Sequence, residues 1–113
     1  MTDLSSILEA ISDRFKRGEI DWSYHARERF RTREINRWWV KGQIADKRFI
    51  LVEFIWRYGL PTHLTLSVGK PLPNRPPVHV RIEHTEEKTR VVTVYWVDYN
   101  KFENDGLTRK REG

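Results

Sequence analysis

A chain of 113 residues is long enough for one hydrophobic core and too short for two. Its 14 aromatic residues, five of them tryptophan, exclude the composition of an intrinsically disordered segment even though 33% of the chain is charged. The net charge of +5 favours an anionic partner, and the absence of cysteine excludes disulfides, thiolate nucleophiles and cysteine-bound zinc.

The opening stretch, "MTDLSSILEAISDRF", has neither the basic nor the apolar region of a signal peptide. The apolar run "FILVEFIW" is broken by Glu53 and falls well short of the roughly 20 residues that span a bilayer. The expectation is a cytoplasmic protein with no membrane partner. Leu4, Ile7, Leu8, Ile11 and Phe15 recur on one helical face, which predicts an amphipathic helix over 4–17. Lys16 and Arg17 in its last turn and Gly18 behind them mark its end. "EIDWS" is a short connection able to adopt an extended form. Ser23, or Asp21, is placed to cap a second helix over 24–33. Asn36 then caps a short third helix, "RWWVK", with Gly42 as its stop. Its Trp38 and Trp39 point in different directions, so one is expected in the core and the other partly exposed.

From Ile44 onward the chain reads as strands. "RFILVEFIWRY" is rich in β-branched and aromatic residues and closes at the turn signal "GLP". "THLTLSV" alternates, with Leu64, Leu66 and Val68 on one face and Thr65 and Ser67 on the other. "GKPLPNRPP" holds four prolines in nine residues and must be a stiff, exposed loop. "VHVRIEH" alternates again, Val78, Val80 and Ile82 inward, His79, Arg81 and Glu83 outward. After the turn "TEEK", "TRVVTVYWV" places Val92, Val94 and Trp96 inward and Thr93 and Tyr95 outward. The remainder, "DYNKFENDGLTRKREG", loses periodicity and ends in "LTRKRE", which reads as a frayed basic tail or as a source of nonspecific attraction for phosphate. Helices followed by three or four strands predict an α+β domain, with the helices packed on one face of an antiparallel sheet. There is no glycine-rich phosphate loop, no βαβ alternation and no nucleophile elbow, which excludes nucleotide-cofactor and α/β-hydrolase designs.

Within "SYHARERFRTREI", His25, Arg29 and Arg33 lie four residues apart, and each advances only about 40° around the helix. They form one stripe beside the apolar Ala26 and Phe30, with Ile35 closing the contact. Arg27 and Arg31 fall elsewhere, within reach of Glu28 and Glu34. Two guanidiniums can hold a phosphate while an imidazole moves a proton; the alternative is a solvated charged face. His79 is a candidate for the same chemistry or an ordinary surface histidine, and Tyr95 a candidate or a packing aromatic. His63 and His84 flank turns. The four histidines include no pair at helical i, i+4 spacing and no adjacent carboxylate pattern, so neither metal nor cofactor is expected.

"HARERFRTREI", then "KGQI", then "PVHVRIEHTEEKTRVVTVYWVDYNKFEND" resembles the small bacterial and phage domain-of-unknown-function 4258 family. More distantly it resembles the RelE and BrnT type of toxin ribonucleases. The likeness covers about residues 22–105, leaving an added helix within 1–18 and a basic tail at 106–113 of a single domain. A proline-rich excursion at 69–77 departs from the family pattern. The resemblance implies N-terminal helices on a curled antiparallel sheet, metal-independent RNA cleavage, association with ribosomes in some cases, and an antitoxin partner. It carries site roles onto His25, Arg29, Arg33, His79 and Tyr95. His25 or His79 would serve as base and acid, Arg29 and Arg33 as phosphate clamps, and Tyr95 as proton donor or stacking platform. The expected function is thus a toxin-like endoribonuclease that attacks through the RNA 2′-hydroxyl. The alternative is a non-catalytic module that binds nucleic acid or protein, including a phage-type inhibitor or accessory protein.

Overall fold

The computed structural model describes residues 3–58 and 60–111. The ends of the N- and C-terminal segments, and the glycine of the "GLP" turn signal, lie outside those residues. Among them the chain forms helices α1 (Leu4–Arg17), α2 (Tyr24–Thr32) and α3 (Arg37–Ala45), and strands β1 (Asp21–Trp22), β2 (Ile50–Ile55), β3 (Thr62–Val68), β4 (Val78–His84) and β5 (Thr89–Trp96). The α+β class is as expected. The sheet differs: it has five strands rather than three or four, ordered β1-β5-β4-β3-β2, and it is mixed because β1 runs parallel to β5. Two residues of "EIDWS" supply the extra strand, too short to carry any alternation of their own.

Each helix begins where its cap dictates. Asp3 accepts from the Ser6 amide, Ser23 from Ala26 and Asn36 from Trp39, so each satisfies an otherwise orphaned N–H of the first turn. Gly18 ends α1 at a φ of 74°, the left-handed value that glycine adopts without strain. Gly42 does not end α3, which continues to Ala45. The interior glycine costs roughly 1 kcal/mol of propensity, and the buried Val40 and Ile44 on either side of it hold the helix against the core.

One face of the sheet carries the core. Ile7, Ile11 and Phe15 of α1 and Val40 and Ile44 of α3 pack with Leu64, Leu66, Val68, Val78, Val80, Ile82, Val91 and Val94. Trp22 sits edge-on between Phe15 and Phe30, with ring centroids 5.9 and 5.5 Å away, and so joins α1 to α2. Neither Trp38 nor Trp39 enters the core; they are 63% and 36% exposed. Trp38 lies instead under the Arg37 guanidinium, 4.7 Å from its ring centre.

A β-bulge corrects the inward face expected for β5. Arg81 pairs with Thr93 but Ile82 pairs with Val91, so Val92 is the extra residue. The slip puts Val91 in the core in place of Val92, which is half-buried; Val94 faces inward as expected, and Trp96, in phase with it but at the end of the strand, is exposed. Thr93 and Tyr95 keep the opposite face. That second face is not bare, because the aperiodic C-terminal stretch folds back over it. Phe102 and Arg109 form a bridge, and both Phe102 and Gly106 are buried. Asp98 accepts from the Asn100 amide and Asp105 from those of Leu107 and Thr108, so turns run through this stretch and into the first residues of the expected tail.

Candidate functional site

Helix α2 is seated on β5 by four bonds. The Ser23 amide donates to the Val91 carbonyl (3.1 Å) and the Ser23 hydroxyl to the Val92 carbonyl at the bulge (2.9 Å). At the far end Arg33 donates through Nη1 to the Val94 carbonyl (3.0 Å), and Trp96 Nε1 donates to the Arg33 carbonyl (2.8 Å). Ala26 and Phe30 are buried between. Helix α2 thereby takes over the flank of β5 that the two-residue β1 does not pair, and its His25–Arg29–Arg33 stripe is held beside the outer face of the sheet.

A cleft of about 640 Å³ opens there. Its walls are His25, Arg29 and Arg33 from α2, Arg81, Thr93, Tyr95 and Trp96 from the sheet, and Asp98, Lys101, Phe102 and Arg109 from the C-terminal segment. Four of the five residues singled out from the sequence therefore meet in one cavity. The cations Arg29, Arg33, Arg81, Lys101 and Arg109 face a single acid, Asp98, among the lining residues. Arg81 also sits 3.9 Å from Glu53, and Arg109 lies over the Phe102 ring at 5.2 Å.

Arg29 Nε–H donates to His25 Nε2 at 3.3 Å, which requires a lone pair on that nitrogen and so places the neutral imidazole proton on Nδ1. Tyr95 has its hydroxyl pushed above the ordinary phenol value by burial, against the opposing pull of Arg81 and Arg109. It is therefore a proton-bearing phenol at neutral pH.

The fifth residue, His79, does not reach the cleft. It lies on the predicted face of β4, but the C-terminal segment covers it completely and its side chain has no exposed surface. Its Nε2–H donates to the Gly106 carbonyl (2.8 Å), which leaves the Nδ1 lone pair to the Tyr95 hydroxyl at 3.3 Å. Burial lowers its affinity for a proton; the bond to Gly106 opposes that shift and Arg109 adds to it. With no exposed surface, this imidazole is linked to the cleft through the Tyr95 hydroxyl.

Sequence reasoning passed over Arg81, Thr93, Trp96, Asp98, Lys101 and Phe102, and met Arg109 only within a basic tail with nonspecific attraction for phosphate. Arg81 and Thr93 carried a usable signal, since they alternate in phase with His79 and Tyr95 and pair across the sheet. The C-terminal residues carried none, because only the tertiary fold brings an aperiodic segment over the sheet. Among the described residues no three histidine or acidic side chains converge to hold a metal ion. Comparisons with protein-family models, curated proteins and solved structures found no match, so the geometry of the cleft carries the functional reading.

Proposed function

We propose that the protein is a toxin-like endoribonuclease that cleaves RNA by attack of the 2′-hydroxyl, without a metal. One observation carries the reading: a histidine, a phenol and five cations from three parts of the chain line the same cleft. Arg29, Arg33, Arg81 and Arg109 neutralise the phosphate as it becomes the dianionic, crowded phosphorane. Arg29 turns from His25 to the phosphate, which frees the Nε2 lone pair of His25 to take the proton of the 2′-hydroxyl; the 2′-oxygen bonds to phosphorus and the bond from phosphorus to the 5′-oxygen breaks. Tyr95 turns its hydroxyl out of its bond with His79 and protonates the departing 5′-oxygen. The products are a 2′,3′-cyclic phosphate and a 5′-hydroxyl, and the imidazolium and phenolate reset through water. The reading brings with it a RelE-like arrangement of helices and sheet, a cytoplasmic setting, RNA as partner with or without the ribosome, and an antitoxin that masks the cleft.

End-labelled RNA incubated with the protein in EDTA tests this, both free and in a translating ribosome mixture. Cyclic-phosphate ends should appear, an all-deoxy strand should resist, and His25→Ala should slow cleavage about 10²-fold. Absence of cleavage in both settings, or cleavage indifferent to His25→Ala, refutes it. A second reading is favoured by the enclosure of His79, which leaves the cleft a single histidine: a non-catalytic module that grips RNA through the same cations. That reading predicts salt-dependent RNA binding that survives His25→Ala with no cleavage at all.

A further inference from the structure

Trp96 lines two cavities. One is the cationic cleft; the other is a groove of about 300 Å³ between α3 and the proline-rich loop, which Trp39, Gln43, Lys70, Leu72 and Arg75 also line. The two indoles are similarly half-uncovered, Trp39 at 36% and Trp96 at 37%. Both are held in place. Trp96 is fixed by its Nε1–H bond to the Arg33 carbonyl, and Trp39 rests against Gly69, where an added Cβ would stand 3.1 Å from its ring. Gly69 has a φ of 93°, so glycine answers both the backbone conformation and the close approach of the indole. The loop is anchored in turn by the Tyr99 hydroxyl, which donates to the Leu72 carbonyl at 2.8 Å. Among the described residues lining the groove the charged ones are Lys70 and Arg75, both cations.

We propose that this groove is a subsite for an unpaired nucleobase of a single-stranded nucleic acid whose backbone runs on through the cationic cleft. The inference rests on the reading of the cleft as a nucleic-acid site and narrows its substrate to single strands. Aromatic faces stack any base in a sequence-tolerant way, while flanking cations track the phosphates. A duplex keeps its bases in its own stack and offers no face to Trp39 or Trp96. Gln43 adds one amide donor and one acceptor for a base edge. The proline-rich loop, which departs from the family pattern noted in the sequence, acquires a role as the groove's outer wall.

Fluorescence anisotropy with a labelled deoxy strand of about eight nucleotides, which 2′-hydroxyl chemistry cannot cleave, tests the subsite apart from catalysis. The comparison strand has the same length and charge but is abasic throughout. Trp39→Ala should weaken the base-bearing strand about tenfold and leave the abasic strand unchanged, and Trp39→Phe, which restores a ring, should recover most of the loss. Thermal unfolding of both variants checks that the fold is retained. Equal affinities for Trp39→Ala and the parent, or equal weakening of both strands, would overturn the subsite. Arg29→Ala reports on the cleft: it should weaken both strands. Loss at Arg29 without loss at Trp39 removes the groove and keeps the cleft; no binding of either strand by the parent protein removes the nucleic-acid reading itself.

Discussion

Replacing His79 with alanine should unseat the C-terminal segment and free Tyr95 in one step. The imidazole is fully enclosed, bonded to the Gly106 carbonyl at 2.8 Å and to the Tyr95 hydroxyl at 3.3 Å. It also stands edge-on to the rings of Tyr95 and Phe102, with centroids 5.4 and 5.1 Å away. Stranding the buried Gly106 carbonyl costs about 1–3 kcal/mol, and each lost aromatic contact about 0.5–1.5 kcal/mol. These contributions overlap, because once the segment lifts water reaches the carbonyl. A loss of about 3 kcal/mol is therefore expected, a large part of the roughly 5–15 kcal/mol that holds a domain of this size. It corresponds to a fall in Tm of about 10 °C. His79→Phe keeps the ring contacts and gives up the bonds to the Gly106 carbonyl and to the Tyr95 hydroxyl, which can turn to water in the cleft, so it should cost about half as much. Urea unfolding followed by far-UV circular dichroism measures both. A loss below about 1 kcal/mol for His79→Ala would show that the C-terminal segment is not docked through this residue, and the cleft wall formed by Lys101, Phe102 and Arg109 would lose its support.

Stability should also fall on mild acidification. Burial holds His79 and His84 below the ordinary imidazole value, so the unfolded chain binds their protons first. Stability is then complete above about pH 6.5, declines as pH drops below it and levels off once the folded values are passed. Urea midpoints measured against pH should lose that step in the double variant His79→Gln, His84→Gln, and an unchanged step would refute the assignment. Ser23→Ala removes both the cap on the Ala26 amide and the bond to the Val92 carbonyl. It should cost about 1–2 kcal/mol by the same unfolding assay, and a loss under about 0.3 kcal/mol would show that α2 is held by Phe30 and Ala26 alone. Arg29→Ala should reduce the slope of log affinity against log salt for single-stranded RNA by about 0.7, the share of one phosphate contact; an unchanged slope would place Arg29 off the backbone path.

The helices were legible because each carries its signal locally: the apolar stripe and terminal Gly18 of α1, and the caps Ser23 and Asn36 of α2 and α3. The stripe of His25, Arg29 and Arg33 followed from the same periodicity, with Ala26 and Phe30 fixing which way it faces. What the sequence did not disclose depends on partners distant along the chain. Val92 looks like one more inward valine, and only its pairing opposite Arg81 and Ile82 shows it to be the bulged residue. His79 alternates outward as expected, yet Gly106 and Phe102 enclose it from more than twenty positions away. The two residues of β1 are too few for any pattern and acquire strand geometry by pairing with Arg90 and Val91. Trp38 and Trp39 invite burial by their hydropathy, but α3 already commits Val40 and Ile44 to the core, and a helix of nine residues has no second apolar face to bury.

Arg33 shows why the site stands at this place on the sheet. Strand β5 has only two partnered residues on the β1 side, and an open strand flank needs hydrogen-bond donors to cover its carbonyls. Ser23 and Arg33, at the two ends of α2, supply those donors to Val92 and Val94. A guanidinium has five N–H groups, so the bond from Nη1 to Val94 leaves others for the cleft. Lysine could reach a carbonyl or a phosphate, but its point charge lacks the planar fork that serves both at fixed angles. Closing the sheet flank and aiming the cationic stripe are therefore one structural act. A change at Arg29 should alter the cleft and leave the fold intact, whereas a change at Arg33 must disturb both, because the same side chain completes the strand and lines the cleft.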